Sequence, residues 1–587
     1  MTYTEKLQAI RNQMKIEGID VYLIPSSDPY QNEYLPEHYR CIAFASGFTG
    51  SAGALVITQD FAGLWTDSRY FIQAEQQLKN SSYQLVKLHI PHTPEYIKWI
   101  PKSSKVGCIE ELLSVVLLEQ LQASGFNPIA ADLISSIWNN RPPLPANSAF
   151  LLKDQYSGQS ASEKLNQLRK QLEQLNTDAI LLSALDEIAW LFNLRGNDIK
   201  CNPLTLAYAL VTPEYAYLFI NQEKLSRNDQ EHLRHHHITI ANNQDIIATL
   251  KLLPAGSSLF IDPKRTNAKL FNNIPVSVKI RQGISLVSHL KSIKNNTEIN
   301  NFKQAMIKDG VALTRFMKWL KENLGKMTIT ELSAAKRLEQ FRAEQEGFTG
   351  PSFDTISGYA ANAALPHYTP NEQSDLTLQQ KGLYLIDSGG QYYQGTTDVT
   401  RMLILGPLTT QEKEDYTLVL KALIEGTIAQ YPTGTRGYQL DAIIRKPLWD
   451  ERINYGHGTG HGVGSFLNVH EGPQSISPNN LDVDFKAGMI TSIEPGIYRP
   501  GHHGVRIENL VLTVPAGETE FGSFLGSETL TLAVIDPKGV LPELLEHRHL
   551  QWLEAYNNYV IETLGPFLSP SENNWLKEEC KLNRNVS

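Results

Sequence analysis

Five glycines fall at every second position in Gly456-His-Gly-Thr-Gly-His-Gly-Val-Gly, and this constrains the chain more than any other feature. Each would cost an α-helix about 0.8–1.0 kcal/mol relative to alanine, so His457 and His461 are not a helical pair despite their spacing. A period of two belongs to an extended strand. It puts His457, Thr459, His461 and Val463 on one face and the glycines on the other. Two imidazoles then point one way, while the bare face lets a second layer come close. A mobile glycine loop with solvent histidines is the plainer alternative, and the strict alternation argues against it.

Carboxylates in strand-like runs give a second constraint. In Leu383-Tyr-Leu-Ile-Asp-Ser-Gly-Gly, an apolar run ends on Asp387, and a β-rich run after Gly395 carries Asp398. The pattern predicts a hairpin with a carboxylate on each strand. Alone, such a pair reads as turn aspartates, since Asp is depleted in strands. A second pair changes the balance: Glu494 follows Met489-Ile-Thr-Ser-Ile, and Glu508 sits inside Gly504-Val-Arg-Ile-Glu-Asn-Leu-Val-Leu. A buried carboxylate is costly unless it is paired or binds a metal, and four together repel one another without cations between them. His367, in Leu365-Pro-His-Tyr, and His470, in Asn468-Val-His-Glu, each read alone as surface or structural histidines.

Asp387, Asp398, a histidine of the glycine motif, Glu494 and Glu508 form an oxygen-rich set with limited imidazole and no nearby cysteine. Such donors suit Mn²⁺, with Zn²⁺, Fe²⁺ or Co²⁺ also compatible. The set exceeds what one catalytic ion needs, which predicts two metals.

Around this centre the 587 residues are too many for one core, and two to four domains are expected. Breaks are expected near Lys153–Ser162 and Lys291–Thr297, giving segments 1–155, 156–292 and 293–587. The first two look duplicated. Asp20-Val-Tyr-Leu-Ile recurs as Asp178-Ala-Ile-Leu-Leu, and Ala54-Leu-Val-Ile as Ala209-Leu-Val-Thr, at offsets of 158 (20 to 178) and 155 (54 to 209). Each copy reads as a helix, a strand and a strand pair, an α/β layer. In the third segment Phe302, Met306, Val311, Leu313, Phe316 and Leu320 recur at helical spacing. Two helices to about Gly347 and a strand-rich remainder make it α+β, with a helical stretch from about 541. A formal net charge of −9 offers no basic footprint for nucleic acid. No stretch reaches the roughly 20 apolar residues of a membrane span, and the polar start lacks a signal peptide's apolar region. Four scattered cysteines fit a reducing compartment, so a cytoplasmic location is expected.

The stretches LIDSGGQYYQGTTDVTR, HGTGHGVGSFLNVHEGP, SIEPGIY, VRIEN and FLGSETLTL resemble, in order, the pita-bread metallopeptidases, the family of methionine aminopeptidase, prolidase and aminopeptidase P. ASGFTGSAG, LWTDSRYFIQAEQQL and SALDEIAWLFNLRG extend the likeness over nearly the whole chain, and it is greatest to the long three-domain aminopeptidase P branch. The resemblance implies two creatinase-type N-terminal α/β domains, a pita-bread catalytic domain and often a homodimer. It implies that Asp387 binds one ion with both oxygens, that Asp398 and Glu508 bridge two, and that His461 and Glu494 complete the other shell. It further assigns His367, His457 and His470 to the substrate. The implied reaction cleaves the bond ahead of proline in peptides through a metal-bridging hydroxide. Glu494 moves the proton, and His470 or His367 stabilises the oxyanion. Prolidase, restricted to Xaa-Pro dipeptides, is the nearest rival; a pita-bread module that binds protein partners without catalysis is the rival from another class.

Overall fold

The computed structural model describes residues 1–89 and 95–581. The last six residues of the expected C-terminal helical stretch lie outside the described residues. The chain forms two compact units, one of residues 1–154 and 159–290, the other of 155–158 and the residues from 291 onward.

The first unit holds two six-stranded sheets. One is built from β1 (Val21–Pro25), β2 (Ala54–Ile57), β3 (Ala62–Thr66), β4 (Gln84–Lys87), β5 (Val106–Cys108) and β6 (Ile129–Ala130). The other is built from β7 (Ala179–Leu182), β8 (Ala207–Val211), β9 (Ala216–Ile220), β10 (Ile238–Ala241), β11 (Ser258–Ile261) and β12 (Lys279–Gln282). Their orders are β4-β3-β2-β1-β5-β6 and β10-β9-β8-β7-β11-β12. Antiparallel and parallel pairings match strand for strand. The repeat expected from two short sequence matches thus covers the whole topology. The sheets are joined by polar and aromatic contacts: Asn267 Nδ2 donates to the Pro29 carbonyl at 2.6 Å, Arg265 Nη1 to that of Gln31 at 3.2 Å, and the Tyr30 and Tyr208 rings stack at 4.7 Å. The apolar run DAILLSALDEIAWLFNL divides into β7 and the buried helix Leu185–Leu191. Among the described residues no helix is long and apolar enough to cross a membrane.

The second unit opens with the helices Asn296–Asn323 and Glu331–Ala343. Asn295 caps the first through a reciprocal bond pair with Glu298, and all six periodic apolar residues from Phe302 to Leu320 are buried. The stretch Lys291–Thr297 is not a free linker. Lys291 and Lys294 are buried, and both Nζ atoms lie on the buried Glu471 carboxylate, at 2.8 and 2.5 Å. Paired, the lysines tolerate an interior that would exclude them singly.

Antiparallel sheets follow, and two of them carry the site. The first comprises β13 (Ile356–Tyr359), β14 (Leu383–Ser388) and β15 (Val399–Ile404), with β14 central. The second runs from the edge pair Tyr431–Pro432 through β22 (Gly522–Thr529), β21 (Asn509–Thr519), β18 (Ile490–Ile493) and β16 (Gly460–Gly462) to β17 (Glu471–Ile476). A separate hairpin, β19 (Gly496–Arg499) with β20 (His503–Arg506), stands between β18 and β21 in sequence. The helices Thr410–Ile428 and Gly437–Asp450 lie between the two sheets in sequence, and their buried faces join the strands in one apolar core. The described C-terminal stretch forms helices His547–Leu564 and Pro570–Glu579.

Candidate metal centre

Strand ends, rather than strand interiors, carry the acidic residues. Asp387 alone lies within a strand, on β14 opposite Thr400 of β15. Asp398 precedes β15, Glu494 follows β18, and Glu508 sits in the two-residue gap between β20 and β21. The expected hairpin with a carboxylate on each strand is corrected accordingly. A strand end frees the side chain from the pleat while ladder bonds hold the backbone. The Glu494 N–H donates to the Thr459 carbonyl at 2.7 Å and the Glu508 N–H to that of Thr400 at 3.2 Å.

The glycine motif is likewise extended only over Gly460–Gly462; Gly456 to Thr459 bends towards it. The ladder shifts register between His461 and Gly462, which shortens the strand. The need for bare backbone is real. A Cβ on Gly460 would sit 1.9 Å from the Ser492 carbonyl oxygen of β18.

These strands bring Asp398, His461 and Glu508 together, with one ligand atom from each within 4.8 Å of the others. His461 Nε2 lies 3.4 Å from Asp398 Oδ2 and 3.4 Å from Glu494 Oε1. Thr400 Oγ1 donates to Glu508 Oε2 at 2.8 Å. Asp387 is 6% exposed and accepts from Arg506 Nη2 at 2.6 Å through Oδ2; its Oδ1 is buried with no hydrogen-bond partner.

The electrostatics record mutual repulsion. Burial, then Asp398, Asp387 and Glu494, push Glu508 well above the carboxylate range. Burial raises Glu494 to about 7 against the pull of His461 and Arg506. Asp387 is raised by burial against Arg506. His461 reaches about 9, because Asp398 and Glu494 outweigh the burial that opposes its charge. A site of four carboxylates, one imidazole and one guanidinium has fewer cationic groups than acidic ones, and one of its buried oxygens, Asp387 Oδ1, has no hydrogen-bond partner. This donor chemistry fits divalent ions.

A second acidic cluster, Glu425, Glu546 and His549, does not fit a metal. His549 Nδ1 accepts the Glu546 backbone N–H at 3.0 Å, so Nε2 carries the proton and gives it to Glu425 at 2.8 Å. A ligating histidine needs the opposite tautomer, with the far nitrogen donating.

The remaining predicted histidines border the cluster. The His470 ring stacks edge-on with His461 at 4.4 Å. His457 donates from Nδ1 to its neighbour's carbonyl, Gly458 O, at 2.6 Å, and its Nε2 accepts from Tyr498 Oη at 2.8 Å. Burial, then Arg506, hold it well below the usual imidazole range, so it is neutral; His367 contributes to the same depression and therefore lies within electrostatic reach.

Sequence reasoning missed Arg506 and Tyr498. Arg506, 2% exposed, donates to Asp387, to Tyr498 Oη at 2.7 Å and to Thr400 Oγ1 at 3.2 Å. It thereby links Asp387 to His457 through one tyrosine. The signal was present: Arg506 interrupts the same apolar run as Glu508, and a buried cation needs a partner as much as a buried anion does.

By class, fold and site define a metallopeptidase. Residues 300–515 match metallopeptidase family M24, residues 523–582 the C-terminal region of peptidase M24, and residues 6–135 and 140–298 two creatinase/prolidase N-terminal domains. The chain belongs to metallopeptidase family M24, with creatinase-type domains ahead of a pita-bread domain. Two relatives matched over nearly their whole length are named as Xaa-Pro aminopeptidases. It is 38% identical to a probable Xaa-Pro aminopeptidase P of Sordaria macrospora, over 98% of both chains. It is 37% identical to Xaa-Pro aminopeptidase 1 of Dictyostelium discoideum, over 98% of this chain and 96% of that one. It is also similar to the crystal structure of X-prolyl aminopeptidase from Caenorhabditis elegans, described as a cytosolic enzyme with a di-nuclear active site. That match has a TM-score of 0.95, 32% identity, and covers 99% of this chain and 100% of that one.

Proposed function

We propose that this protein is a metal-dependent Xaa-Pro aminopeptidase, which removes an N-terminal residue ahead of proline from peptides. The observation that carries the reading is the convergence of Asp398, His461 and Glu508 ligand atoms within 4.8 Å. Beside them lies the unpartnered Asp387 oxygen. Asp387, Asp398, His461, Glu494 and Glu508 would hold two divalent ions, with Mn²⁺ favoured by the oxygen-rich set. When bound, such ions activate a water as nucleophile and polarise the scissile carbonyl.

The chain's own residues do the rest. Glu494 takes a proton and passes it towards the leaving proline nitrogen. His470, against His461, or His367 donates to the carbonyl oxygen as charge develops. Neutral His457, fixed by Tyr498, offers an uncharged polar edge to the substrate. Proline follows from its chemistry: the Xaa-Pro bond has no N–H, so a pocket shaped for the ring needs no acceptor there. The proposed domains are 1–155 and 156–292, both of creatinase type, ahead of a catalytic domain from 293. A cytoplasmic homodimer is the working assembly.

The test is cleavage of Arg-Pro-Pro by purified protein with Mn²⁺, then with chelator. Metal-dependent release of free arginine is expected. Cleavage of Xaa-Pro dipeptides alone would make the protein a prolidase, and inactivity on both, with metal bound, would leave a binding module.

A further inference from the structure

The hairpin of β19 and β20 has two faces with different work. Its register pairs Gly496 with Arg506, Ile497 with Val505, Tyr498 with Gly504 and Arg499 with His503. Side chains alternate across a strand, so Tyr498 and Arg506 share one face with the two glycines. The other face carries Ile497, Val505, Arg499 and His503. The glycine face is crowded: a Cβ on Gly496 would meet the Tyr498 hydroxyl at 2.6 Å, and one on Gly504 would stand 1.8 Å from the Ala363 carbonyl oxygen. Tyr498 and Arg506 therefore reach His457 and Asp387 only if the hairpin keeps one position.

The opposite face packs Ile497 and Val505 into the apolar core and is fastened at its tip by one carboxylate. Asp415, on the helix Thr410–Ile428, is wholly buried. It accepts from Arg499 Nε at 2.5 Å and Nη2 at 2.7 Å, and from His503 Nε2 at 2.8 Å. Gln411 adds a bond to Oδ1 at 3.2 Å. Arg499 and His503 are directly opposed at the hairpin's tip, so Asp415 ties both strands to the helix at once.

We propose that Asp415, Arg499 and His503 are positioning residues: a clamp on the back of the hairpin that sets where Tyr498 and Arg506 present themselves to His457 and Asp387. This rests on the peptidase reading of the site. The three bond to one another on the face of the hairpin away from Tyr498 and Arg506, and their influence on the site runs through the hairpin.

The test compares wild type, Asp415→Asn, His503→Leu and His503→Gln at saturating Mn²⁺ on Arg-Pro-Pro. Misplacing catalytic groups by about 1 Å costs on the order of 10²-fold. Asp415→Asn and His503→Leu are expected to lower kcat at least about tenfold with little change in KM, in protein that is still folded at the assay temperature. His503→Gln, which keeps an N–H donor, is expected to recover most of that loss; a core-filling role would instead be served as well by leucine. Wild-type kcat in Asp415→Asn, or glutamine no better than leucine, overturns the proposal. Hydrogen exchange gives a second readout that needs no turnover. Residues 496–506 should exchange faster in Asp415→Asn than in wild type, and equal rates overturn the clamp. Wild-type protein inactive on every Xaa-Pro peptide would sink the peptidase reading, and the exchange comparison would still decide the clamp.

Discussion

Gly460→Ala is a sharp perturbation placed directly beside the candidate ligand His461. Alanine's Cβ would stand 1.9 Å from the Ser492 carbonyl oxygen, whereas ordinary contact begins at 3.4 Å, so 1.5 Å (3.4 − 1.9) must be absorbed. The obstacle is backbone of β18, which cannot rotate away as a side chain could. β16 and β18 must part, and His461, the next residue, moves with β16. Three bonds hold this seam: Glu494 N–H to the Thr459 carbonyl at 2.7 Å, His461 N–H to Ser492 Oγ at 3.0 Å, and Val463 N–H to the Ile490 carbonyl at 3.2 Å. Displacing a catalytic group by about 1 Å costs on the order of 10²-fold, or about 2.7 kcal/mol of barrier. Overpacking costs a further ~1–3 kcal/mol of stability. Gly458→Ala is the internal control. Its Cβ would find nothing closer than 3.5 Å, and its φ is not in the left-handed region. It should be neutral, or stabilise by roughly 0.4–1 kcal/mol through the unfolded chain. The assay is kcat/KM on Arg-Pro-Pro with bound metal measured by atomic emission and melting by circular dichroism. Gly460→Ala within twofold of wild type would refute the argument, as would Gly458→Ala being equally damaged.

Arg506→Met removes the cation paired with buried Asp387 and should destabilise metal-free protein by about 3–5 kcal/mol. Added Mn²⁺ should restore part of the melting temperature, and an unchanged metal-free melt would contradict the pairing. Glu494→Gln should lower kcat sharply while the fold melts as before; unaltered kcat would remove its proton-transfer role. Metal-free protein should lose stability as pH rises, because the shifts resolved at Asp387, Glu494, Glu508 and His461 all run upward. Glu494, raised to about 7, favours folding fully below its ordinary 4.5 and loses that contribution through 7; His461, raised to about 9, does so between 6.5 and 9. Metal binding displaces those protons, so apparent Mn²⁺ affinity should climb over the same window. Melts of chelated protein from pH 5 to 9 check the first, and a flat or rising profile would count against the coupling.

Much of this was written in local sequence. Strict glycine alternation excluded a helix at His457 and His461, because conformational cost is paid residue by residue. Asp387, Glu494 and Glu508 stood out because charge inside an apolar run must be compensated somewhere. Phe302 to Leu320 revealed a helix by spacing alone, and two pairs of short matches revealed a repeat that extends to all twelve strands of the two six-stranded sheets.

Partners were decided only by the tertiary structure. Nothing local says that Arg506 meets Asp387 across 119 residues, that Ser492 is what Gly460 must pass, or that Asp415 fastens Arg499 and His503 from 84 and 88 residues away. The lysines of Lys291–Thr297 read as linker polarity until Glu471, 177 residues beyond Lys294, turned them into a buried ion cluster. A sequence shows which residues need compensation, since solvation cost and backbone preference belong to each residue. It leaves open which group supplies that compensation, because strand register and chain closure over a hundred residues are settled by the packing of the whole core.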